Sequence, residues 1–308
     1  MTRPSPAVGR ERLDLLDPHE IARLGGIELV TQGIVEGFLS GLHRSPRRGF
    51  SVEFAEHRAY QLGDEPRYVD WKLLARTDRL YVKQYEEETN LRAMLVLDTS
   101  RSMAWSGAPA TRLTKLSYSR LLAAALGLVL LRQRDATGLI TFDETVRKVV
   151  PPRGRLSHWY QLLAALGEIG PGGGTAAGPA LARVVGQLRR RGLVVFISDL
   201  LLERDLAMKA LRFLAHRGHQ VLVLHVADPS ELALEGTSEA RFRDPETGEG
   251  VVLRPRDWAG AYDRTVREEI ATWRTGLRRH GIAYELIRTD TPFGVALRQA
   301  LVQSTSVA

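Results

Sequence analysis

Short apolar runs that stop at carboxylates constrain this chain more than any other feature. Met94 to Leu97 is followed by Asp98, the run 193–197 by Ser198 and Asp199, and the largely apolar run 220–226 by Asp228 and Pro229. An apolar run of about four to eight residues between polar turn residues reads as a strand covered on both faces, as in parallel sheets. Segments with helical spacing separate the runs. Strands alternating with helices imply an α/β fold with a mostly parallel, doubly wound sheet and right-handed crossovers. In such sheets ligands bind beyond the carboxyl ends of the strands. Asp98 and Asp199 both fall there.

The rest of the chain fits around that core. Residues 1–12 read as a loose tail. An N-terminal extension over 13–90 reads as helical over 13–42, where Ile21, Leu24, Ile27, Val30 and Ile34 recur at helical spacing. Phe50, Val52 and Phe54 alternate as in a strand, 69–75 reads as a short helix, and 80–85 as another strand. The α/β domain spans 91–308. It has helices predicted at 112–134, 158–169, 176–190, 205–217, 258–279 and 292–302, and a last strand at 283–288. Strands at 136–142 and 146–150 are separated by only Asp143-Glu144-Thr145, too few residues for a crossover helix. They form an antiparallel hairpin, and the second becomes an edge strand. Asp244-Pro-Glu-Thr-Gly248 marks an inserted hairpin at about 241–253.

Composition narrows the function classes. There is no cysteine, which excludes disulfides and thiolate metal sites and fits a reducing, cytoplasmic setting. The first residues lack the apolar stretch of a signal peptide. The longest apolar patch, 121–131, is about half a membrane span and reads as a buried helix. The net charge of +7 is carried mostly by arginine but is spread along the chain, with only short runs such as Arg189-Arg190-Arg191. That suits solvated helix faces or an acidic protein partner better than nucleic acid. The eight histidines show no metal-ligand spacing, which argues against zinc.

Three stretches carry hard oxygen donors at matching places. Asp98, Ser100 and Ser102 follow one strand, Thr175 follows Gly172 to Gly174 and opens a helix, and Asp199 ends another strand. If the strands are neighbours, two carboxylates and three hydroxyls converge at one edge. Such donors suit Mg²⁺, with Mn²⁺ or Ca²⁺ as alternatives. Hydroxyl ligands leave the ion electrophilic, and an open coordination position would accept a carboxylate from outside. The glycines let the backbone come close. Singly, each residue also has a reading as a helix cap.

The set Asp98-x-Ser100-x-Ser102, Thr175 and Asp199 resembles the metal-ion-dependent adhesion site of von Willebrand factor A domains. The block before it contains Gly63-Asp64, Arg67, Asp70-Trp71 and Ala75-Arg76, with Lys83 and the acidic run 86–88. It is similar to the bacterial family catalogued as domain of unknown function fifty-eight. That resemblance implies a Rossmann-like core of the von Willebrand factor A type. It also implies a non-enzymatic role as adaptor or partner of a MoxR-type AAA+ ATPase, in chaperone-like assembly or maturation. Many relatives carry N-terminal membrane helices. This sequence shows none, so a membrane anchor is not expected. Arg67, Asp70 and Arg76 read either as an ion-pair knot or as partner contacts, and Trp71 reads as a packing anchor. The alternative function is a metal-dependent phosphate-ester hydrolase with Asp98 as nucleophile. Such sites usually have a second carboxylate two residues on, where this chain has Ser100.

Overall fold

The computed structural model describes residues 26–43, 57–59, 73, 74, 76, 79–83, 91–107, 113–170, 172, 178–244 and 248–305. The strand expected at 50–54 lies outside these residues, as do Gly63, Asp64, Arg67, Asp70, Trp71 and Thr175. Arg76 is described and is exposed.

The core begins with strand β3 (Arg92–Asp98). Two three-residue strands precede it, β1 (His57–Ala59) and β2 (Tyr81–Lys83), paired antiparallel. After β3 come helix α2 (Lys115–Arg132), β4 (Ala136–Phe142), β5 (Val146–Arg153), α3 (His158–Gly167) and α4 (Gly178–Gln187). Then follow β6 (Leu193–Ser198), α5 (Arg204–His216), β7 (Gln220–Ala227) and the single turn α6 (Pro229–Leu232). A hairpin of β8 (Ala240–Arg243) and β9 (Gly250–Leu253) projects next. Helix α7 (Pro255–Arg278), β10 (Ala283–Arg288) and α8 (Phe293–Thr305) close the chain. Helix α1 (Ile27–His43) comes before all of these.

Six strands form one sheet in the order β10-β7-β6-β3-β4-β5, parallel throughout except for β5 at the edge. The chain enters in the middle at β3, runs outward to β5, then crosses to the other side of β3 and runs outward again. The winding therefore reverses between β3 and β6, which places a crevice at their carboxyl ends. This is the doubly wound α/β architecture, with one antiparallel edge strand, that the apolar runs imply.

Both faces of the sheet are covered, which is why β3 and β6 are apolar at every position over 93–97 and 193–197. Ala93, Leu95 and Leu97 of β3 face one layer, with Leu193, Val195 and Ile197 of β6 beside them. Met94 and Val96 face the other, with Val194 and Phe196. The first layer contains α1, α2, α3 and α8, and the second contains α4, α5 and α7. Helix α2 is buried on every side from Leu121 to Leu131 because it lies between the sheet and other helices. Among the described residues no helix is long and apolar enough to cross a membrane.

Part of the N-terminal extension joins this core. Val30, Ile34, Val35 and Phe38 of α1 are buried in the same apolar cluster as α2. Phe38→Ala is therefore expected to cost about 3–5 kcal/mol and to lower the midpoint of the whole unfolding transition. A separate, earlier transition in calorimetry would show that α1 is not part of the core. A second expectation concerns Asp135, which is buried and among the described residues has no hydrogen-bond partner for Oδ1. Burial pushes its pKa up to about 6, against the opposing effect of a hydrogen bond from the Leu91 amide. An acid whose folded pKa is raised weakens the fold at pH above that value, and the penalty fades as pH falls through it. Asp135→Asn should thus raise Tm at neutral pH, with the gain shrinking toward about pH 4. A gain that is the same at both pH values would refute this.

Candidate functional site

The carboxyl end of β3 emerges at the reversal of the sheet, and Asp98 is its last residue. In the register Asp98 sits opposite Phe142 of β4, and Leu97 sits opposite Ile197 of β6. Its side chain is fully buried. Oδ1 accepts from the Ser100 amide at 2.9 Å and Oδ2 from the Ser198 hydroxyl at 2.7 Å. Both donors are neutral. Burial, reinforced by the nearby Asp199 carboxylate, pushes the Asp98 pKa up to about 7 against these hydrogen bonds. Among the described residues Asp98 is a buried acid with no cation on it.

Ser100 and Ser102 follow in a tight turn that leads into a 3₁₀ segment, Arg101–Ala104. Their hydroxyl oxygens lie 3.1 Å apart, and both residues are buried. Two hydroxyls this close beside a carboxylate form a compact oxygen cluster with little solvent.

Asp199 enters from β6. Its loop is set by the preceding Ser198, whose hydroxyl donates to Asp98 and accepts from the Leu200 amide at 3.0 Å. Leu200 has φ +55°, in the left-handed region that a non-glycine residue adopts only when its surroundings hold it there. The Leu201 amide donates to Asp199 Oδ1 at 3.2 Å. From β7, His225 stands beside Asp199, and its Nδ1 lies 2.7 Å from the Tyr284 hydroxyl. Burial holds the His225 pKa down to about 4, so the ring is neutral at physiological pH. The contact with Tyr284 fixes the ring beside the Asp199 loop.

The remaining oxygen of Asp199 meets a residue that the sequence pattern did not single out. Lys115, the first residue of α2, is completely buried. Its Nζ lies 2.8 Å from Asp199 Oδ2 and 2.5 Å from Glu231 Oε1. Burial alone would lower the lysine pKa, but the two carboxylates outweigh it and hold the ammonium above its ordinary value. Glu231 is placed by a capping box. Asp228 caps α6 through the Ser230 amide, and Glu231 Oε2 accepts from the Asp228 amide at 2.9 Å. The sequence Asp228-Pro229-Ser230-Glu231 carried that signal. Nothing in it showed where Glu231 would point. Trp105 stands over Lys115, with the ammonium 6.0 Å from its ring centroid.

Gly172 also lies at this edge. The Gly172 amide donates to the Thr99 carbonyl at 2.8 Å. A Cβ on Gly172 would lie 2.0 Å from the Asp143 carboxylate, so a side chain there would displace it. Asp143 belongs to the β4–β5 turn, which therefore borders the same edge. Thr175 lies outside the described residues.

Of the five expected oxygen donors, Asp98, Ser100, Ser102 and Asp199 stand at the carboxyl ends of adjacent strands. Among the described residues no group of three or more His, Cys, Asp or Glu side chains is arranged to hold a metal. A cation at this edge would rely on hydroxyls as much as on carboxylates. The donor set fits one: all the donors are hard oxygens, and Asp98 is an acid lacking a counter-charge. Lys115 sets the cost of disturbing the site. Lys115→Met leaves the buried Asp199 and the part-buried Glu231 without their cation and should cost about 3–5 kcal/mol. Glu231→Gln, which keeps a hydrogen-bonding group on a side chain that is one-quarter exposed, should cost less. Denaturant titration compares them. Equal small losses would show that the triad is not structural.

Comparison with known proteins places the chain. Uncharacterized protein Rv1480 of Mycobacterium tuberculosis is 30% identical over 241 residues, covering 77% of this chain and 74% of that protein. The uncharacterized protein Mb1516 of Mycobacterium bovis matches to the same extent. A conserved hypothetical protein, BatB from Bacteroides thetaiotaomicron, aligns with TM-score 0.45 and 21% identity over 70% of this chain and 99% of its own. The von Willebrand factor domain of the pilus tip protein Mfa5 from Porphyromonas gingivalis aligns with TM-score 0.35 and 10% identity over 71% of this chain and 97% of its own. The family described as "Protein of unknown function DUF58" matches residues 56–274, and the chain belongs to that family.

Proposed function

We propose that the protein is a non-enzymatic, metal-dependent protein-binding module. Asp98, Ser100 and Ser102 would hold a divalent cation, Mg²⁺ in the first instance, with Thr175 and Asp199 contributing directly or through water. A cation there supplies a Lewis-acidic position for a carboxylate of a partner protein. One observation carries the reading: Asp98 is fully buried at the sheet reversal, beside two hydroxyls, and receives only neutral donors. A buried carboxylate is costly unless it is paired or bound to a metal. The other residues are arranged for binding. Ser198 ties the β6 end to Asp98, while Lys115 holds Asp199 through an ion pair. His225 beside Asp199 is tied to Tyr284 through Nδ1 and stays neutral. The partner implied by the family resemblance is a MoxR-type AAA+ ATPase. The role is that of an adaptor in chaperone-like assembly, and the setting is the cytoplasm.

Two measurements test this. Millimolar Mg²⁺ should raise the Tm of the wild type by about 2 °C or more. Asp98→Asn should raise the Tm without metal, because it removes a buried charge, and should abolish the Mg²⁺ increment. Pull-down with the purified ATPase should succeed in Mg²⁺ and fail in EDTA or with Asp98→Asn. A metal increment that survives the substitution would sink the site. Capture that ignores EDTA would sink the metal-dependent interaction.

A further inference from the structure

The opposite end of the sheet carries a second feature, unconnected with the oxygen cluster. A cleft of about 420 Å³ opens at the amino ends of β3 and β6. Met94, Leu188, Val194 and Pro152 give it an apolar part of its lining. Arg92 from β3 and Arg189 and Arg190 from the turn after α4 line it as well. No acidic residue lines it. Among the described residues none of these three arginines has an ion-pair partner.

The cleft is fixed by its surroundings. Gly192 passes so close to β3 that a Cβ would lie 2.0 Å from the Arg92 carbonyl oxygen. His219, largely buried, forms one wall. Burial, together with the nearby Arg217 and Arg191, lowers the His219 pKa. Cations near the end of α4 have an ordinary explanation, because a helix carboxyl terminus attracts them. Arg92, however, comes from a strand. The helix end does not explain why three arginines from two elements line one concavity without a carboxylate.

We propose that this cleft binds a phosphate-bearing small molecule with an apolar or aromatic body, of mononucleotide size. Guanidinium groups recognise phosphate oxygens in pairs, and the three arginines supply them. The apolar part of the lining accepts the body of the ligand, and the volume lies within the range of small-molecule sites. A polynucleotide would need an extended basic stripe, whereas these charges converge on one pit.

Calorimetric titration of the full chain in EDTA tests the proposal, because chelation keeps phosphates from binding through a metal at the oxygen site. The probes are inorganic phosphate, pyrophosphate and ADP, with hexaglutamate as the acidic-peptide control. ADP should bind saturably, one per chain, and more tightly than phosphate. The triple variant Arg92→Gln/Arg189→Gln/Arg190→Gln should weaken ADP binding by about tenfold or more. All three positions are at or near the surface, so the variant should keep the wild-type circular dichroism spectrum and Tm. No saturable binding, binding unchanged in the triple variant, or hexaglutamate binding tighter than ADP would each overturn the proposal. Asp98→Asn should leave ADP binding intact, so the outcome is independent of the metal reading.

Discussion

One buried ammonium organises the carboxyl edge of this sheet. Lys115 begins the helix after β3, Asp199 ends β6, and Glu231 sits in the turn after β7. The Lys115 side chain is inaccessible to solvent, and so nearly is that of Asp199. Bringing such charges out of water costs several kcal/mol each, and only close geometry recovers it. The three loops therefore have little freedom to separate, since parting would leave a charge buried alone. The capping box on α6 aims Glu231. A rigid frame of this kind is what a site on loops needs, because loops alone do not hold side chains to fractions of an ångström.

The frame treats the two aspartates differently. Asp199 meets an internal cation and Asp98 does not, although they stand at the ends of adjacent strands. Among the described residues, Asp199 and Glu231 share the ammonium of Lys115, and Asp98 has none. The structure leaves that imbalance on the oxygen donors beside Ser100 and Ser102, away from the lysine. A site in which every carboxylate had its own lysine would be closed to added cations. A site with none would pay a larger penalty for its burial. The observed division keeps the loop of Asp199 in place while Asp98 retains its need for a counter-charge.

Much of this was legible in the sequence because it depends on local pattern. The runs ending at Asp98 and Asp199 announced strands buried on both faces, and the three-residue turn at Asp143 announced the antiparallel edge. The helix over 121–131 followed from its unbroken apolar character. The role of Lys115 was not legible, and the reason is distance along the chain. Its partners lie 84 and 116 residues away. A lysine at a helix start has no local property that says its tip will be buried. His225 shares this limit, because its function depends on the register of β7 against β6. Strand β1 escaped notice because His57-Arg58-Ala59 shows no alternation of apolar and polar residues. The attachment of α1 to α2 was half legible. The helical spacing of Ile27, Val30 and Ile34 gave the face, and only the tertiary structure gave what it covers.

The sheet also separates its chemistry by end. At the carboxyl end the described site gathers oxygens and one buried ammonium, and at the amino end the cleft gathers guanidinium groups. β3 joins the two, carrying Arg92 at its first residue and Asp98 at its last. A strand of seven residues spans about 20 Å, well beyond the Debye length of about 8 Å at physiological salt. Screening keeps exposed charges at one end from acting strongly on those at the other, and the Asp98 end is buried besides. The two ends can thus bear opposite charge without cancelling. Strong coupling between them would require movement of β3 itself, and its packing on both faces opposes that.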